Sequence, residues 1–168
     1  MTNVMFIANL YKYFYIIKLK TMKELLTNFD HVGVVVRNIE DAAKYYERLG
    51  FDPFESMGAV PYGREVHGEP SDVVNYAMGS HISSLKVELV QPVSGESVQK
   101  EFLDSKGEGI NHLCFQVDDI EEATSMMAAE GFEPVSSCKF KGGGGMAYFD
   151  TDKVGGVLTE LVEWPEKS

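Results

Sequence analysis

The stretch FDHVGVVVRNIEDAAKYYERLGFDPFES, residues 29 to 56, recurs 81 positions later as INHLCFQVDDIEEATSMMAAEGFEPVSS, residues 110 to 137. Laid over each other without a gap, the two segments match His31 with His112, Ile39-Glu40 with Ile120-Glu121, Ala42 with Ala123, Gly50-Phe51 with Gly131-Phe132, and Pro53 with Pro134. Agreement at one fixed offset is an internal repeat, and neighbouring copies of such a unit bury a common core. With 168 residues, the chain accommodates two half-size modules of this kind.

Each copy opens on a short apolar strand, HVGVVV or HLCFQV, and turns at Asn38 or Asp119 into a helix. Both are strong N-cap residues, and Asp41 and Glu122 place a carboxylate where the helix dipole favours it. The apolar faces run through Ile39, Ala42, Ala43, Tyr46 and Leu49 in one copy and Ile120, Ala123, Met126 and Met127 in the other, until Gly50 and Gly131 stop the helices. Extended segments follow: FDPFES, SDVVNYAMG and SSLKVELV in the first module, and FEPVSS, MAYFD and GVLTELVEW in the second. The order is strand, helix and three strands, twice, giving an α+β fold of two tandem βαβββ modules. Residues 28–96 form the first module, 97–109 a linker helix and 110–165 the second, within a single domain over 28–168. Both modules close on the same tripeptide, Glu88-Leu89-Val90 and Glu160-Leu161-Val162. Because the histidine-to-glutamate separation is 57 residues in the first copy and 48 in the second, the first carries a loop insertion within 58–84.

Strand side chains alternate faces, so Val32, Val34 and Val36 enter the core while His31 lies on the other side. His112, Glu88 and Glu160 occupy equivalent mid-strand positions. One such residue alone reads as structural. Two histidines and two glutamates repeated in register make a donor set suited to one divalent metal ion, Zn, Co, Ni, Mn or Fe. His67 and His81 fall in the inserted loop and read as surface residues, and Cys114, sharing the His112 face, reads as pocket lining. The segment KFKGGGGM, 139–146, reads either as a floppy hairpin tip or as backbone N–H groups that, with Lys139 or Lys141, approach a phosphate.

A net charge of −11 with three arginines, at 37, 48 and 64, argues against a nucleic-acid partner. Two cysteines without metal-site spacing suit a reduced, cytoplasmic protein. Residues 1–27 read as an N-terminal extension. In its first 21 residues Lys12 interrupts the apolar run, which predicts neither a signal peptide nor a membrane span.

The segments FDHVGVVVRNIEDAAKYYERLGF, KVELVQPV, GEGINHLCFQVDDIEEA and GGVLTELVEW together resemble the vicinal oxygen chelate superfamily, the glyoxalase/bleomycin-resistance/dioxygenase fold, over residues 29 to about 165. The resemblance implies curved sheets that wrap one metal ion, with His31, Glu88, His112 and Glu160 on the ligand positions. It implies α-proton transfer through a metal-stabilised enolate, with Glu160 or Glu88 as the base, and a homodimer. Glyoxalase I, the lactoylglutathione lyase of the superfamily, carries glutathione contacts where this chain has Val35 and Pro92. QPVSGES and GEGINH are similar to the methylmalonyl-CoA epimerases, which makes an acyl-CoA thioester the expected substrate and a glutathione adduct the alternative. Asn75 falls near where some epimerases place a second catalytic glutamate. A third reading is a non-catalytic ligand-binding protein of the resistance type.

Overall fold

The computed structural model describes residues 21–57 and 61–166. The expected order of elements is present. Helix α1, Met22–Leu25, precedes strand β1, Phe29–Val35, and helix α2, Ile39–Arg48. The first module continues through β2, Glu55–Ser56, β3, Pro61–Val66, β4, Glu69–Pro70, β5, Val74–Ile82, and β6, Leu85–Ser94. Helix α3, Val98–Lys106, links it to β7, Gly109–Gln116, α4, Ile120–Ala129, β8, Pro134–Phe140, β9, Gly145–Phe149, and β10, Leu158–Glu163. The strands form one curled sheet in the order β2-β5-β6-β1-β7-β10-β9-β8-β3-β4.

The helix signals in the sequence act as expected. The Asn38 side chain accepts a hydrogen bond from the Asp41 backbone, and that of Asp119 from Glu121 and Glu122. Gly50 and Gly131, at φ +101° and +86°, turn the chain out of each helix. Helix α2 covers Val34, Val36, Val87 and Leu89; helix α4 covers Val117, Ala147, Phe149 and Leu161. Each module thus builds its own core on the helix side of the sheet. Leu49 departs from the expected helix face: it caps α2 beyond the last full turn and is exposed.

Two further differences bear on the site. The inserted region is partly strand, not simply loop: β3 and β4 form a hairpin through His67 and Gly68, both at positive φ, as a two-residue turn requires. Strand β3 then pairs with β8, so an insertion in the first module extends the edge of the second. At the N-terminus, residues 1–20 of the expected extension lie outside the described residues. The part that follows them belongs to the second module: Leu25 is buried in its core with Met22 and Leu26 against it.

Candidate metal centre

Four neighbouring strands, β6-β1-β7-β10, explain how residues scattered over the chain converge. In this register Gly33 stands between Glu88 on β6 and His112 on β7. Cys114 likewise stands between His31 on β1 and Glu160 on β10. The two rows are related as the two repeats are, since Gly33 and Cys114 are themselves 81 residues apart. Small residues at the two middle positions let the imidazoles lean inward. At Gly33 this is obligatory, because a Cβ built there would fall inside the His112 ring.

The four side chains meet at their tips, on the sheet face opposite the helices. Nε2 of His31 lies 3.3 Å from Nε2 of His112, 3.3 Å from Oε2 of Glu88 and 3.5 Å from Oε2 of Glu160. Nε2 of His112 lies 3.4 Å and 3.1 Å from the same two oxygens. All four residues are buried, His31 and His112 almost completely. Donors about 2.0–2.2 Å from one ion stand about 3.0–3.6 Å from their neighbours, so the set fits a divalent cation. Oε2 of Glu160 adds a sign of its own: it is buried 3.1 Å from Nε2 of His112 and 3.5 Å from Nε2 of His31 without a hydrogen-bond partner.

Outer partners hold the rings. Nδ1 of His31 meets Oδ1 of Asp30 at 2.6 Å, and Nδ1 of His112 meets Oδ1 of Asn111 at 3.1 Å, so each histidine is oriented by the residue before it. Asp30 is fixed in turn by Lys86 at 2.6 Å and the Trp164 indole at 3.0 Å. The repeat contained this signal, since Asp30 and Asn111 align, but two different residue types hid it.

The electrostatics follow from this packing. Burial alone would lower the pKa of both histidines. It is outweighed at His31 by the hydrogen bond to Asp30 and at His112 by the charge of Glu160, so both are raised. Burial likewise works against ionised Glu88 and Glu160, and the imidazoles outweigh it, holding both carboxylates low. Burial pushes the Cys114 thiol up.

A cavity of about 500 Å³ opens on the cluster, with Glu88 and Glu160 in its lining and the two histidine rings behind them. Tyr148, whose ring centre is 5.1 Å from that of His112, forms another wall. Asn75 also lines the cavity; its Nδ2 donates to Gln99 and its buried Oδ1 has no partner. Neither Tyr148 nor the lining residue Arg64 had a distinguishing sequence signal. Other expectations are corrected. Cys114 is fully buried beside Cys138, Phe140 and Val162, packed behind the site and not lining it. The glycines of 139–146 turn between β8 and β9, as the hairpin-tip reading has it, and Gly143 and Gly144 line a separate cleft with Lys139, Asp118, Asp119, Glu121 and Glu163, a mostly acidic setting unsuited to phosphate. His81 is exposed as expected, and exposed His67 bonds Glu101 at 2.9 Å.

Comparison with known proteins agrees with this architecture. The chain is 30% identical over 140 residues to human mitochondrial methylmalonyl-CoA epimerase, covering 81% of this chain and 73% of the relative. It is 27% identical over 141 residues to the uncharacterised YqjC protein of Bacillus subtilis, covering 82% and 93%. The crystal structure of methylmalonyl-CoA epimerase from Mycobacterium tuberculosis superposes with a TM-score of 0.61 at 24% identity, over 89% of this chain and 95% of that one. The family model for the glyoxalase/bleomycin resistance protein/dioxygenase superfamily matches residues 30–149, well over half of the sequence, and the chain belongs to that superfamily.

Proposed function

We propose that the protein is a metal-dependent isomerase that removes and returns the α-proton of an acyl-CoA thioester, with methylmalonyl-CoA as its substrate. One observation carries the reading: the two carboxylates of the buried four-donor cluster are also part of the lining of the substrate-sized cavity. Similarity to methylmalonyl-CoA epimerases supports the choice of substrate.

When bound, a divalent cation supplies a Lewis acid for two adjacent substrate oxygens and steadies the charge that proton loss leaves on them. His31 and His112, oriented by Asp30 and Asn111, would hold it together with the glutamates. Glu88 and Glu160 reach the cluster from β6 and β10, on either side of the two histidine-bearing strands, so each module supplies one carboxylate as a candidate base. Each is ionised at neutral pH and therefore able to accept a proton. Glu160, whose buried Oε2 has no hydrogen-bond partner, is the better placed base. Burial of the cluster keeps competing water away. Val35, where glyoxalase I would contact glutathione, is fully buried and outside the cavity lining.

Deuterium uptake at the α-carbon of methylmalonyl-CoA in heavy water tests the reading, because it records proton removal even when the epimer ratio stays constant. The wild type should exchange, and Glu160→Gln should lose about 100-fold to 10,000-fold of the rate. No exchange by wild type, with turnover of the methylglyoxal–glutathione adduct, would replace this function with that of glyoxalase I.

A further inference from the structure

We propose that Arg64, supplied by the inserted hairpin, is the residue that selects a substrate bearing a carboxylate on its α-carbon. This rests on the acyl-CoA reading above and assigns the group that recognises the acyl end.

The placement of Arg64 depends on a bulge. Between Tyr62 and Glu65, strand β3 advances three residues while β8 advances two, from Lys139 to Ser137, and Gly63 takes φ +57° there. A bulge with a left-handed glycine re-aims the side chains that follow it. Pro61 and Arg64 accordingly face the cavity, whereas Tyr62, Gly63 and Glu65 line the cleft on the other side. Without the extra residue, Arg64 would leave the face that Pro61 occupies.

Among the described residues Arg64 is the single cation in the cavity lining, which otherwise carries the charged groups Glu40, Glu88 and Glu160. It is half-buried, and among the described residues no carboxylate forms an ion pair with its guanidinium. A partly buried charge of this kind calls for a partner. With Glu88 and Glu160 committed to a divalent cation, the guanidinium would be the positive side chain left in the described lining of that cavity. Arg64 shares the cavity lining with Tyr148, which abuts His112. The complementary ligand is an anionic planar group close to the α-carbon, which a guanidinium grips through two parallel hydrogen bonds. Phosphates of the CoA tail are the other anionic source, and paired thioesters separate the two. Methylmalonyl-CoA and propionyl-CoA share every phosphate and differ by the carboxylate.

Equilibrium binding of these two thioesters to metal-loaded wild type, Arg64→Gln and Arg64→Lys provides the test, with metal content measured alongside. The wild type should prefer methylmalonyl-CoA; Arg64→Gln should reduce its affinity for that thioester by roughly 10-fold to 100-fold. Affinity for propionyl-CoA and the metal content should be unchanged, and Arg64→Lys should regain part of the preference. If Arg64→Gln keeps the wild-type preference, the assignment of Arg64 is overturned while the acyl-CoA reading stands. An equal loss for both thioesters would assign Arg64 to the CoA phosphates and overturn it as well. Failure of the wild type to bind either thioester would instead remove the acyl-CoA reading on which the assignment rests.

Discussion

At the scale of single residues, the site depends as much on what is small as on what coordinates. His31, Glu88, His112 and Glu160 were legible because the repeat places them in register. Gly33 was not, since a glycine in a strand has several explanations and only the pairing with β7 shows the His112 ring above it. Gly33→Ala should therefore abolish high-affinity metal binding while leaving all four donors in the chain, as read by metal titration with circular dichroism as a check on folding. Retention of wild-type affinity would mean that the ring does not sit where the structure puts it. Protonation gives a second prediction. Without a cation, the raised pKa of His31 and His112 contributes stability fully present below the unfolded value near 6.5 and lost as pH rises towards the folded values. The lowered pKa of Glu88 and Glu160 contributes stability present above about 4.5 and lost as pH falls through the folded values. A metal ion needs bare ring nitrogens, so binding should release protons and tighten as pH rises from 6 to 8. Calorimetry in buffers of different ionisation enthalpy reads the release directly. Heats independent of buffer would contradict it.

At the scale of elements, the parts readable in the sequence were those with local causes. Asn38 and Asp119 cap helices through side chains three residues or fewer from their targets, and the glycine stops are equally local. Replacing Asn38 by Ala should cost about 1 kcal/mol in denaturant unfolding and leave metal content unchanged, because the cap lies outside the cluster. Strands β3 and β4 escaped notice for the opposite reason. Pro61, Gly63 and Glu65 give PYGREV no apolar alternation, and its partner, β8, lies some seventy residues further along the chain. The turn was hidden too, since His67 takes a left-handed conformation usually marked by Asn or Gly. An insertion recognised from spacing alone thus turned out to build a wall of the cavity.

At the scale of the whole molecule, the repeat was enough to anticipate paired modules, but not the order in which their strands join. The sheet is continuous because β1 and β7, the first strand of each module, pair antiparallel at its centre. That seam forms the site on one face and leaves Phe29, Ile110 and Leu113 considerably exposed. Such apolar area is commonly covered by association. A homodimer is accordingly expected, and light scattering at micromolar concentration should give twice the mass of the 18.7 kDa chain; a clean monomer would oppose it. Two repeats are proposed jointly to build one metal site, each contributing a histidine and a glutamate. Metal content per chain, measured by elemental analysis after loading and exhaustive dialysis, tests it most directly. Each wild-type chain should hold one divalent ion, and the His31→Ala, His112→Ala double variant none. A folded double variant that keeps its metal, or a wild type that holds none, would contradict it.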